Sequence, residues 1–168
     1  MTIPVLARLK KDGYNVRWYC IGEGNDLKNC KHIVKKYNLE KDYIFLGVNK
    51  NPYTMMKDCD IYVQPSRYEG YGLVIAEARI LQKPIVATDF TVVHNQIIDG
   101  KNGLISQMNS DSLYKCVKRM IEDENLQNHV CENLKKESPG TEEEIFKIYK
   151  YVIILICYHN KRFIMVQC

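Results

Sequence analysis

Hydrophobic and polar positions along this chain follow two periods that take turns. "IPVLARLKKDGYN" carries apolar residues at helical spacing and stops at Gly13. "VRWYCIG" follows as an apolar strand ended by Gly22. "DLKNCKHIVKKYNLE" returns to the helical period, with Leu27, Cys30, Val34 and Tyr37 on one face and the lysines outside it. "YIFLG" reads as a second strand, "PYTMMKDC" as a short helix, and "IYVQP" as a third strand closed by Pro65. A helix over residues 72–81 and the strand "PIVAT" come next. "IIDGKNGLI" holds two turn dipeptides, Asp99-Gly100 and Asn102-Gly103, before a last short strand. From there the pattern is helical only. Leu113, Cys116, Val117, Met120 and Ile121 form one stripe, capped by Asn109 or Ser110. "ESPG" breaks the chain, and "TEEEIFKIYKYVI" opens a final helix on a capping box of Thr141 and Glu144. The tail "CYHNKRFIMVQC" fits no clean period.

Strands that alternate with helices at this spacing predict an α/β fold: a doubly wound parallel sheet with helices on both faces. In such sheets ligands bind beyond the carboxyl ends of the strands. That rule selects four loops, residues 22–26, 47–51, 65–72 and 88–93. Gly22, Gly24, Gly47, Gly70 and Gly72 fall in them. His94, just past the fourth, reads more readily as structural than as a ligand.

Composition narrows the classes without choosing one. The 168 residues suit a single domain, and 46% hydrophobic with 26% charged residues is an ordinary soluble balance. The net charge of +4 comes from scattered lysines, so no nucleic-acid partner is expected, while weak peripheral contact with an anionic membrane surface is compatible with it. Seven cysteines with no C-x-x-C pair read as reduced thiols of a cytoplasmic protein. The four histidines hold no metal-ligand spacing with them, and no metal is expected. Nothing at the start reads as a signal peptide, and the apolar run "YVIILICY" is too short to span a bilayer.

The chemistry concentrates in "PSRYEGYGLVIAEA". The N-terminus of its helix offers free N–H groups and a partial positive charge, which suit a diphosphate. Gly70 and Gly72 let an anion approach without a Cβ in the way. Glu77 has Leu73, Val74, Ile80 and Leu81 as its helical neighbours, with no base on that face. A buried carboxylate needs partners, and the two hydroxyls of a ribose would supply them. Glu77 stands about 7–8 Å along the axis from the helix start, so ribose and phosphates would be held separately. Glu69 precedes the helix and sits at the phosphate end, within reach of whatever the diphosphate carries. The simpler readings are a solvated loop acid at Glu69, a distant lysine partner for Glu77, and a turn role for Gly70, Gly72, Ser66 and Arg67. "GEGND" lacks the third glycine of a dinucleotide fingerprint.

A diphosphate with a ribose at one end and a polar group at the other describes a nucleotide sugar. At this point "PSRYEGYGLVIAEA", "KPIVAT" and "IIDGKNGLI", with "YCIGEGND", "IFLG" and "CDIYVQPSRYEG", resemble the retaining GT-B glycosyltransferases of the glycosyl transferases group 1 family. Glu69 and Glu77 match their E-x7-E motif, and the resemblance covers residues 2–153. It implies that Glu69 is catalytic and hydrogen-bonds the donor sugar. Glu77 holds the ribose. The backbone at Gly70, Tyr71 and Gly72 faces the sugar, and that at Leu73 and Val74 the phosphates. Ser66 and the loops of Gly22, Gly24 and Gly47 complete the donor site, the last bordering the base. It further implies transfer with retention, without a metal or other cofactor, to a glycan or lipid-linked acceptor, in the manner of polysaccharide assembly.

Against the family's two-domain pattern, the chain matches the carboxyl-terminal donor domain. The amino-terminal acceptor domain is expected to be missing, together with the first donor-domain strand and its Arg/Lys pair. In the family that strand is central, between the segments matching "VRWYCIG" and "IYVQP", and residues 154–168 are set apart as an atypical tail. The isolated chain is then expected to bind nucleotide sugar weakly and to transfer nothing. The other readings are a non-catalytic nucleotide-sugar-binding fragment and an unrelated doubly wound binding module.

Overall fold

The computed structural model describes residues 1–48, 51–70, 72–137 and 162–167. Among them the elements run α1 (Thr2–Lys11), β1 (Val16–Ile21), α2 (Leu27–Lys36), β2 (Tyr43–Gly47), α3 (Tyr53–Asp58), β3 (Ile61–Gln64), α4 (Leu73–Ile80), β4 (Ile85–Thr88), β5 (Leu104–Ser106), α5 (Ser110–Glu122), α6 (Glu124–Glu137) and β6 (Arg162–Gln167). The expected helix at Thr141 lies outside the described residues.

The strands make one six-stranded sheet in the order β2-β1-β6-β3-β4-β5, with every pair parallel. This is the doubly wound α/β architecture that the alternation predicts. Between β1 and β3, where the family's first strand belongs, lies β6, pairing along Val16–Ile21 on one side and along Ile61–Val63 on the other. β6 falls within residues 154–168, the segment set apart as a tail. The local pattern of the tail could not show this, because a strand that lies between two others takes its place from its neighbours' unpaired N–H and C=O groups.

Successive residues of the central strands point to opposite faces. Ile61 and Val63 pack with α1, α5 and α6 through Leu6, Leu9, Leu113, Val117 and Val130. Tyr62, Ile85 and Ala87 pack on the other face with Met55, Met56, Ile75 and Ala78 of α3 and α4. Each of these side chains is nearly or fully buried, and the leucines, valines, isoleucines and methionines among them are worth about 1.5–3 kcal/mol apiece. Asn109 caps α5, its Oδ1 accepting from Ser112 N–H at 2.8 Å. On α2 the expected stripe is trimmed. Val34 is buried, but Tyr37 is 46% exposed, and Leu39 beyond the helix end packs in its place. The cysteine expectation is also corrected at one position: Cys20 is disulfide-bonded, while Cys30, Cys59, Cys116 and Cys131 are free.

Candidate functional site

Because all strands are parallel, their carboxyl ends share one edge, and the four loops chosen from the sequence converge there. Gly22 N–H donates to the Gly47 carbonyl at 2.9 Å, which ties the loops after β1 and β2 together. Gly24 stands exposed in the first of these loops. Asn51 Oδ1 accepts from Tyr53 N–H at 2.9 Å and so sets the start of α3.

The loop from β3 into α4 carries the carboxylates. Gln64 ends β3 and is 2% exposed. Its Nε2 donates to Ser66 Oγ at 2.7 Å and to Glu69 Oε1 at 2.9 Å, and Ser66 Oγ donates to the same Glu69 oxygen at 2.6 Å. Thr88, at the end of β4, fastens this loop by donating to the Ser66 carbonyl at 2.5 Å and to the Gln64 carbonyl at 3.2 Å. Ser66 thus holds Glu69. Tyr62 donates to Gln64 Oε1 from the buried side. Burial pushes the Tyr62 phenol well above its ordinary value, with the nearby Glu77, Cys59 and Glu69 adding to the shift, so it stays a donor.

Gly72 caps α4 with φ 76° and ψ 43°, the left-handed region. A Cβ there would sit 3.1 Å from Gln96 Nε2, which itself donates to the Gly72 carbonyl at 3.1 Å. Glycine at 72 is thus favoured by the backbone and by the close approach of Gln96. Gly70 differs: a Cβ there would meet open space and its φ is not positive. Tyr71 lies outside the described residues. The N–H groups of Leu73 and Val74 open α4 and have no carbonyl one turn back within the helix to bond, while Ile75 N–H donates to the Gly72 carbonyl at 2.9 Å. Leu73 is 55% exposed at this edge and Val74 half-buried.

Glu77 lies in the second turn of α4 and is 6% exposed. The sequence shows no base on its own helix face and leaves a distant lysine as the alternative partner. The structure adds a different group: Tyr53 of α3 donates to Glu77 Oε1 at 3.2 Å. An ionised carboxylate accepts several donors at once, so this bond orients the group and is compatible with further hydroxyls. Tyr53, Gln64, Thr88 and Gln96 are the residues that sequence reasoning missed. The one available signal was a polar Gln64 inside the apolar run of β3. His94 Nε2 lies 2.8 Å from Asp89 Oδ1 on the exposed loop after β4. Among the described residues no cluster of His, Cys, Asp or Glu could hold a metal ion, and no helix is long and apolar enough to cross a membrane.

The family model for glycosyl transferases group 1 matches residues 1–137. The chain belongs to that family. A curated member, the N-acetylgalactosamine-N,N'-diacetylbacillosaminyl-diphospho-undecaprenol 4-alpha-N-acetylgalactosaminyltransferase of Campylobacter jejuni, is 30% identical over 128 residues, covering 75% of this chain and 34% of that protein. Among solved structures, a TarM variant of S. aureus, crystallised with fondaparinux, alpha-GlcNAc-glycerol and UDP, superposes with TM-score 0.74 at 26% identity, over 88% of this chain and 29% of that one. Anabaena Alr3699/HepE in complex with UDP-glucose shares the fold, with TM-score 0.74 at 24% identity over 81% of this chain and 38% of that one. The chain spans about a third of the length of these relatives. The family match ends at residue 137, so β6 lies outside it and still occupies the middle of the sheet.

Proposed function

We propose that this chain binds a nucleotide-sugar donor as the donor half of a retaining glycosyltransferase. The observation that carries the reading is the placement of two carboxylates on either side of the α4 N-terminus, at the carboxyl edge of a parallel sheet. Glu69 lies before the helix, with Oε1 held by Gln64 and Ser66; Glu77 is buried in its second turn, oriented by Tyr53. The relatives crystallised with UDP or UDP-glucose support this choice of ligand.

In this reading the first-turn amides of α4 and its dipole bind the diphosphate and stabilise the charge that develops as it leaves. Glu77 accepts from the ribose hydroxyls. Glu69 accepts from a hydroxyl of the donor sugar and holds its anomeric carbon toward the open edge, where the acceptor approaches. The loops of Gly22, Gly24 and Gly47 border the nucleotide. Transfer proceeds with retention and without a bound metal, to a glycan or lipid-linked acceptor of polysaccharide assembly, at the cytoplasmic side or on the membrane surface. Acceptor recognition and turnover belong to the whole length of such an enzyme, of which this chain corresponds to about a third. The isolated chain is proposed to bind without transferring.

Calorimetric titration with UDP-glucose, GDP-mannose and ADP-glucose, each beside its parent diphosphate, tests the reading. One series is expected to saturate, and Glu77→Gln to weaken it by about 10- to 100-fold, the worth of hydrogen bonds to a charged group. No saturable binding in any series, or unchanged binding in folded Glu77→Gln, refutes it.

A further inference from the structure

We propose that Gln64 is a positioning residue that sets the rotamer of Glu69 and leaves Glu69 Oε2 as the atom offered to the donor sugar. The proposal rests on the reading of Glu69 as the sugar contact.

A glutamine 2% exposed at the end of an otherwise apolar strand must have its amide satisfied. Its partners also determine which way the amide faces. A carboxylate only accepts, so the group facing Glu69 Oε1 at 2.9 Å must be the Nε2 donor. The amide oxygen then faces Tyr62, and Tyr62 must donate. That phenol is fully buried and held in its neutral form, so it supplies the proton needed. The chain of donors therefore runs one way, from Tyr62 to Gln64 to Glu69. Ser66 adds a second donor to the same oxygen. Among the described residues, every hydrogen bond of Glu69 falls on Oε1. One carboxylate oxygen is anchored from the buried side by two donors, and the other is left to a ligand.

The anchor is rigid for reasons outside the loop. Gln64 belongs to β3, which pairs with β4 on one side and β6 on the other and is buried along its whole length. Thr88 binds the carbonyls of both Gln64 and Ser66. A flexible glutamate in a half-buried loop is thereby fixed by groups of the sheet before any ligand arrives, which removes an ordering cost from binding.

The test compares nucleotide sugar with its parent diphosphate on the full chain, in whichever of the UDP-glucose, GDP-mannose and ADP-glucose series binds. The sugar increment is the ratio of the two affinities. Glu69→Gln should remove it, and its persistence, or the absence of any increment in the wild type, sinks the sugar-contact reading and this proposal with it. Given that loss, Gln64→Met, which keeps the length and removes the side-chain hydrogen bonds to Tyr62, Ser66 and Glu69, should lower the increment about tenfold and leave diphosphate affinity within twofold. A generally loosened site would lower both affinities together, and that outcome overturns the proposal, as does an unchanged increment. Tyr62→Phe keeps Gln64 and its fold while releasing the amide oxygen, and should lower the increment severalfold in the same selective way. In the double variant Gln64→Met/Glu69→Gln the two losses should not add, whereas full additivity contradicts the coupling.

Discussion

Gly72→Ala isolates one local conformation and its cost can be worked from the structure. Gly72 holds φ 76° and ψ 43°, where an L-residue with a Cβ is disfavoured by about 1–2 kcal/mol. The new Cβ would sit 3.1 Å from Gln96 Nε2. Gln96 is 7% exposed and bonds the Gly72 carbonyl, so its retreat loosens a bond worth about 0.5–1.5 kcal/mol. Alanine also restricts the unfolded chain, which offsets about 0.4–1 kcal/mol. The net expectation is a loss of about 1–2.5 kcal/mol, or about 2–10 °C in melting temperature for a chain of this size. Urea unfolding followed through Trp18, the single tryptophan and fully buried, reads it directly. Gly70→Ala is the control: with open space and no positive φ it should stay within about 0.5 kcal/mol of wild type. If Gly72→Ala matched Gly70→Ala, the account of α4's left-handed entry would be wrong.

Glu137 at the end of α6 accepts from Lys101 Nζ at 2.6 Å and from Asn102 Nδ2 at 2.7 Å, with Arg79 Nη2 at 3.5 Å. The Lys101 and Asn102 bonds, in that order, hold its carboxyl below the ordinary 4.5. A depressed folded value gives stability that is present above 4.5 and lost as pH falls through that value. Glu137→Gln should therefore be less stable than wild type at pH 7, with the gap narrowing as pH falls below 4.5 in urea titrations; a gap that does not narrow with falling pH would contradict this. Cys59 is 2% exposed and burial pushes its thiol up to about 12. Native iodoacetamide labelling at pH 8 should leave it unmodified after the half-buried Cys30 has reacted, and equal labelling by peptide mass would show the site to be open.

In the candidate site, Glu77 and Gly72 were legible because each strains a local rule. Glu77 interrupts an apolar helical face, and Gly72 enters a helix through a residue that favours a special φ. The groups that orient those carboxylates were not legible. Tyr53 reads as one more residue of a short amphipathic helix, yet it donates to Glu77 across 24 positions of sequence. Thr88 reads as the end of an apolar strand, yet it secures the loop of Ser66 from the neighbouring strand. Gly70 differs: a turn role was the simpler reading of its glycine, and the backbone does not demand one.

By itself the sequence determined the periods, and through them the alternation of strands and helices, the parallel sheet and the edge at which Glu69 and Glu77 meet. Those are local properties, set by side-chain burial at spacing 2 or 3.6 and by the backbone preferences of glycine. Only the tertiary structure decided which strand lies between β1 and β3, and from which direction each carboxylate is held. Sheet order depends on pairing between segments far apart in the chain, and β6 reaches the centre of the sheet across more than a hundred residues from Ile61. Hydrogen-bond partners such as Gln64 for Glu69 and Tyr53 for Glu77 exist only once β3, α3 and α4 have packed together.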